Sequence, residues 1–147
     1  MSATPQVRDY MGMKVVSADL SDTVFDVTAK MIENNVGCVV ITETDDITGI
    51  VTKGDIIKNV ILKSQDPKKL KVSLIMVTPV MKVSPNSSLE DAARQMSEGH
   101  VSKLPVIDDE SGLLVGIITA TDIIRIEPIY VEYLKGLITS PSKKTAK

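Results

Sequence analysis

Apolar residues recur along this chain at two spacings, helical and strand-like, and the whole order of spacings is then repeated. Val24, Val27, Thr28, Met31 and Ile32 fall at i, i+3, i+4, i+7 and i+8. That is one buried face of a helix, with Ser21 or Asp22 as its cap and Asn34–Asn35 at its end. Cys38–Thr42 is a short run rich in β-branched residues, the pattern of a buried strand. Glu43–Asp46 turns the chain, Ile47–Val51 is the return strand, and Thr52 opens a second helix through Ile56, Ile57, Val60 and Ile61. Ahead of these, Lys14-Val15-Val16 predicts a short strand.

The second half repeats the pattern. Leu89, Ala92, Ala93 and Met96 form the equivalent helical face, with Ser87 and Glu90 spaced as a capping box. Leu104–Ile107, a turn at Asp108–Gly112 and Leu113–Ile118 make the second hairpin, and a last helix starts near Thr119. Gly49–Ile57 (GIVTKGDII) returns as Gly116–Ile124 (GIITATDII). The offset is 65 residues from Met11 to Met76 and 67 from Gly49 to Gly116, so the second copy carries a two-residue insertion. Each copy reads strand, helix, strand, strand, helix. A duplication of this kind dictates the architecture. It predicts an α+β chain of two β-α-β-β-α units about a pseudo-twofold axis, sheets packed together, with a ligand cleft between them. The expected boundaries are an arm at 1–6, repeat one at 7–63, a polar connector at 64–71, repeat two at 72–126, and a helical segment with a disordered basic tail at 127–147. Pro128 breaks or kinks the last helix.

Composition narrows the classes. The 147 residues make about one compact domain whose core is Ile, Val, Leu and Met, with no Trp and one Phe. A net charge of −2 gives no global case for nucleic acid, and the scattered lysines lack aromatic partners for stacking. The lone Cys38 cannot form an intramolecular disulfide, which fits a reducing cytoplasmic setting. Neither an 18-residue apolar run nor a secretory leader is visible, so no membrane span is expected. His100 stands alone on a turn, without the spacing of a metal site. The acidic turns read as solvated loops, and no acid, base and nucleophile constellation is present, so no enzyme is expected. The helix after each Thr/Asp motif carries two apolar columns, for example Ile56 with Val60 and Ile57 with Ile61; one can face the sister repeat or its own sheet, the other is left over, and exposed stripes of that kind mark interfaces. A homodimer is therefore expected.

The repeated chemistry is Thr-x-x-Asp, Thr52 with Asp55 and Thr119 with Asp122, each just after a strand and at the start of a helix. An anion binds well at such a start, a threonine hydroxyl donates to phosphate, and an aspartate accepts from a ribose diol. Gly49 and Gly116 let backbone approach closely. The same pair is also a helix cap worth about 1 kcal/mol with no ligand at all. Repeat two has Lys103, which can neutralise phosphate, where its counterpart in repeat one is Cys38. Lys58 and Arg125 each follow their aspartate by one helical turn.

These segments resemble the CBS domain, and the tandem pair resembles a Bateman module. The resemblance rests on Gly49–Asp55 and Gly116–Asp122, on Lys103-Leu104-Pro105-Val106-Ile107-Asp108, and on the opening segments Val7–Met11 and Val72–Met76. It covers about Val7 to Ile126. It implies a regulatory module with no catalytic domain attached, binding AMP, ADP or ATP and modulating a protein partner or its own assembly. S-adenosylmethionine, NAD or nucleic acid are further ligands the resemblance allows, and an interaction module with empty clefts is the rival. The resemblance implies two clefts. Thr52 and Asp55 would face Val101 and Ser102 in one. Thr119, Thr121 and Asp122 would face Val36 and Gly37 in the other, with Met13 and Thr78 lining adenine pockets. The Asp122 cleft, supported by Thr119, Thr121 and Arg125, is the preferred one.

Overall fold

The computed structural model describes residues 4–78, 80–126 and 128–137. In chain order its elements are α1 (Val7–Tyr10), β1 (Ser17–Asp19), α2 (Val24–Asn34), β2 (Cys38–Glu43), β3 (Asp46–Thr52), α3 (Lys53–Ile56), α4 (Leu89–Gly99), β4 (Lys103–Ile107), β5 (Leu114–Thr119), α5 (Ala120–Ile126) and α6 (Val131–Leu134). Helices and strands are mixed as the sequence predicts, and the residues form two compact units, Val15–Val80 and Met1–Lys14 with Met81–Lys147. The units and the sequence repeats do not coincide. The opening segment of repeat one belongs in space to the unit built by repeat two. The opening segment of repeat two belongs to the first unit.

Backbone hydrogen bonds produce this exchange. Gly12 and Ile117 bond in both directions at 2.8 and 3.0 Å, and Val77 and Ile50 at 2.9 and 3.2 Å. Each short antiparallel bridge covers the free edge of a hairpin, an edge that would otherwise leave donors and acceptors unpaired. The strand expected at Lys14–Val16 forms instead at Ser17–Asp19, parallel to β2. Its counterpart in the second unit shrinks to one parallel bridge between Val83 and Val106. Two prolines account for this: Pro85 follows two residues later, and Pro105 in β4 has no N–H to give to a ladder.

In the first unit Val24, Val27 and Met31 of α2 pack on Val39, Ile41 and Val51 of the sheet. The cap of α2 is Thr23, later than the Ser21 or Asp22 read from sequence: its side chain accepts from the Asp26 N–H at 3.2 Å. Asp22 is occupied elsewhere, its carboxylate accepting from the Asp19 N–H at 3.1 Å. The connector supplies further caps. The Pro67 and Leu70 carbonyls accept from Phe25 and Val24 at 3.0 and 2.9 Å, taking up two donors that a helix start leaves free. Thr44 and Asp45 have φ of 51° and 69°, so the first hairpin closes with a two-residue type I′ turn. After α3 the chain widens into one π-helical turn, Ile57–Ile61, rather than a regular helix. This turn buries Val60 and leaves Ile57 and Ile61 exposed.

In the second unit Leu89, Ala92, Ala93 and Met96 of α4 pack with Leu104, Val106, Ile118 and Ile123, and Val7 of α1 joins them. Ser88, not Ser87, caps α4 by accepting from the Asp91 N–H at 3.0 Å. Glu90 is thereby released to accept from the Tyr133 hydroxyl at 3.0 Å. The two-residue insertion lies in the longer turn between β4 and β5. There Asp108 accepts from the Ser111 and Glu110 N–H groups at 2.8 and 3.2 Å. Those backbone donors, Ser111 first, hold its carboxyl below the usual range. The segment after α5 is shorter than expected: a 3-10 turn at Pro128–Tyr130, then α6, whose Leu134 is fully buried. Ile138 and the expected tail Thr139–Lys147 lie outside the described residues, as do Met1–Ala3 of the arm. No helix among the described residues is long and apolar enough to cross a membrane.

The edge bridges set a prediction. A Cβ on Gly116 would lie 2.7 Å from the Met11 sulfur and 2.8 Å from the Gly12 carbonyl oxygen, and that oxygen is fixed by its bond from Ile117. A Cβ on Gly49 would meet only the flexible Met76 side chain. Gly116→Ala is therefore expected to cost about 1–3 kcal/mol in urea unfolding, and more than Gly49→Ala. Equal losses would mean that the Gly12 backbone yields as easily as a methionine side chain.

Candidate functional site

The two Thr-x-x-Asp motifs fold into different hydrogen-bond patterns. In the first, where β3 runs into α3, the Thr52 hydroxyl accepts from the Asp55 N–H at 3.3 Å. Asp55 Oδ2 accepts in return from the Thr52 N–H at 2.8 Å and from its hydroxyl at 3.1 Å. This is a closed capping box. One carboxylate oxygen of Asp55 is fully engaged in holding the helix start.

In the second motif, where β5 runs into α5, the Thr119 hydroxyl accepts from the Asp122 N–H at 3.1 Å. No return bond from Thr119 to the Asp122 carboxylate is among the described hydrogen bonds. Asp122 Oδ1 instead lies 3.4 Å from Arg125 Nη1, one turn along α5, with the aspartate side chain 32% and the arginine 70% exposed. An ion pair so open to water adds little to stability. It leaves both groups able to turn to another partner.

Strand register brings the neighbouring residues up. Lys103 is directly opposite Thr119 in the β4–β5 ladder, and Cys38 is opposite Thr52 in the β2–β3 ladder. Residues opposite one another in a ladder share a face, so Lys103 and Thr119 are side by side. The Ala120 N–H donates to the Ser102 carbonyl at 2.8 Å, and the Lys53 N–H to the Gly37 carbonyl at 3.1 Å. The second unit therefore gathers Ser102, Lys103, Thr119, Asp122 and Arg125, with Val101 preceding and Thr121 exposed on the first turn. The first unit gathers Val36, Gly37, Thr52, Asp55 and an exposed Lys58.

Within each unit, then, Val36 and Gly37 neighbour Thr52, and Val101 and Ser102 neighbour Thr119. Met13 and Thr78 change company with their opening segments. Met13, 73% exposed, follows the Gly12 bridge, and the antiparallel register runs it towards Gly116 and away from Thr119. Thr78 follows the Val77 bridge on the first unit and is exposed.

Sequence reasoning missed a cavity of about 460 Å³ on the first unit. Its lining includes Thr28, Ile32, Asn35, Gly37, Lys53 and Ile57. The available signal was Ile32, placed on the buried face by its spacing but exposed in the structure. His100 has an unremarked role: at φ 55° it is the left-handed C-cap of α4, the position Asn35 holds on α2. No group of three metal-ligating side chains occurs among the described residues.

Comparison with known proteins follows the duplication. The family profile described as the CBS domain matches residues 7–62 and again 72–128. The Methanopyrus kandleri protein MK0525 is 32% identical over 131 residues, 88% of this chain. The aligned part is 64% of that relative, so this chain spans a little under two thirds of its length. The crystal structure of the CBS domain protein TA0289 from Thermoplasma acidophilum aligns with a TM-score of 0.81 at 26% identity, over 92% of this chain and 76% of that one. The CBS domain pair of protein MJ0100, solved with 5′-methylthioadenosine and S-adenosyl-L-methionine, aligns with a TM-score of 0.73 at 26% identity, over 84% and 96%.

The unequal bonding of the two motifs is measurable without any ligand. Asp55→Ala removes an acceptor of two bonds, and the expected loss is that of a helix cap, about 1 kcal/mol. Asp122→Ala removes a weak surface pair and is expected to cost clearly less in the same urea titration. Equal losses would show that Asp122 caps its helix as Asp55 does.

Proposed function

Because this chain belongs to the CBS-domain family and carries that domain twice, we propose that it is a regulatory module whose second unit binds an adenine nucleotide. The observation that carries the reading is the carboxylate of Asp122. One oxygen of its counterpart Asp55 is held in a capping box, whereas Asp122 has only a solvent-exposed ion pair to give up. A ribose diol donates two hydrogen bonds to such a carboxylate. Arg125, released from Asp122, and Lys103, beside Thr119, are the cations for phosphate, and the hydroxyls of Thr119, Thr121 and Ser102 are its neutral partners. Arg125 would exchange its exposed pair with Asp122 for a charge-assisted bond to the phosphate. The adenosine-type ligands of the MJ0100 pair support the same ligand class.

The output would be regulatory and not catalytic. A bound nucleotide changes the conformation or partner affinity of the module only as far as it binds one state better than another. For the first unit, the closed cap of Thr52 and Asp55 favours a second reading, a structural role in which Lys58 stays a solvated surface charge. The two units then divide the work, one sensing and one packing.

Thermal unfolding against AMP, ADP, ATP, S-adenosylmethionine and NAD, with GMP as control, tests the proposal. A ligand at 100 times its Kd adds about 2.7 kcal/mol, a rise of roughly 5–10 °C for a chain of this size. The expected result is a rise with one adenine compound that Asp122→Ala abolishes and Asp55→Ala, corrected for its lower stability, preserves. No rise with any compound at millimolar concentration would instead favour an interaction module with empty sites.

A further inference from the structure

We propose that the segment Pro128–Leu137 is a strap coupled to the nucleotide site of the second unit: docked, it holds the site in its binding form, and a bound nucleotide in turn holds it docked. This rests on the reading of that unit as the nucleotide-binding one. The link is α5, which serves both. Asp122 and Arg125 lie on its open side, paired with each other at 3.4 Å. Ala120 and Ile123 are fully buried, in one cluster with Leu134 of α6 and with Ala93 and Met96 of α4. Ala120 is the junction. It directly follows Thr119 and its N–H donates to the Ser102 carbonyl at 2.8 Å, while its side chain belongs to the cluster of Leu134.

Little holds the strap down. Within it only Leu134 is buried, with Tyr130, Tyr133 and Leu137 partly covered at the edge of the cluster. Its polar anchor is the Tyr133 hydroxyl, which donates to Glu90 at 3.0 Å, with the Arg94 guanidinium 5.9 Å from the ring centre. Glu90 and Arg94 are themselves about half exposed, so water competes for both. A segment with so few buried contacts opens locally, without global unfolding. The duplication shows the same place without a strap. Thr28, Met31, Lys53 and Ile56 correspond by the repeat offset to Ala93, Met96, Ala120 and Ile123, and they line the cavity of about 460 Å³. On that unit the Thr-x-x-Asp motif is closed on itself; on the unit that carries the strap it is open.

The coupling follows from what each state offers the ligand. The nucleotide reaches Asp122 and Arg125 on α5 together with Ser102 and Lys103 at β4. It meets all four only while the start of α5 keeps its place against β4. Undocking takes Leu134 away from Ala93 and Ala120, which are too small to fill the space, and the start of α5 loses its packing on that side. The ligand therefore binds the docked state better, and that difference is what shifts the equilibrium. Linkage makes the effect reciprocal: whatever loosens the strap weakens the nucleotide by the same factor. The signal is the exposure of Tyr130, Tyr133 and Leu134 when the nucleotide leaves.

Calorimetric titration of the full chain with AMP, ADP and ATP, and hydrogen exchange of its amides at saturation, test this. Leu134→Ala is expected to raise the Kd about tenfold, and Tyr133→Phe, which removes only the anchoring hydroxyl, several-fold. Should Leu134→Ala fail to fold, Tyr133→Phe carries the test. Exchange at residues 131–137 is expected to slow about tenfold when wild type binds. Val27→Ala, a core truncation in the first unit, is the control for lost stability alone and is expected to leave the Kd unchanged. An unchanged Kd in the folded strap variants, an equal rise in Val27→Ala, or exchange at 131–137 that ignores the ligand would overturn the coupling and leave the nucleotide reading standing. No binding of any of the three to wild type would overturn both.

Discussion

Everything in this molecule depends on the pairing of two hairpin edges with segments from outside their own repeats. The β3 edge is closed by Val77 and the β5 edge by Gly12, through two backbone hydrogen bonds each. An edge strand left bare would expose unpaired backbone groups and invite aggregation. Closing it places Met11 against Gly116 and Met76 against Gly49, where only glycine leaves room. The exchange also gives each unit material from both ends of the duplication. Neither sequence repeat is a complete structural unit without the opening of the other.

Duplication followed by divergence explains the unequal chemistry. The same Thr-x-x-Asp spelling gives a closed box at Thr52–Asp55 and an open one at Thr119–Asp122. Asp122 pairs with Arg125 one turn along α5, while no ion pair of Asp55 with Lys58 is among those described. One spelling thus admits two hydrogen-bond patterns. The helical faces diverge as well: Ala93 and Ala120 share a buried cluster with Leu134, whereas Thr28 and Lys53 line a cavity.

Much of this was legible in the sequence. The duplication, both hairpins, most of the buried faces of α2 and α4 and the family were readable, because each depends on residues within a turn or two of one another or on direct repetition. Caps were misplaced by a residue or two at Thr23 and Ser88. Several polar candidates stood in a row there, and only the bonds made by Asp22 and Glu90 elsewhere separate them. The strand expected at Lys14–Val16 failed because its position depends on β2, which is more than twenty residues away.

By itself the sequence determined the local elements and the chemistry available: helical periodicity, turn residues that tolerate positive φ, and aspartates one helical turn after threonines. Backbone torsions and nearest-neighbour hydrogen bonds act over such short separations that the order of residues is enough. Only the tertiary structure decided which segment closes each sheet edge, which aspartate closes a capping box and which pairs with an arginine, and where Leu134 is buried. Those outcomes are competitions between distant groups for the same donor, acceptor or volume. The winner depends on where the chain has been brought in space, as the burial of Leu134 in one cluster with Ala93 and Ala120 shows.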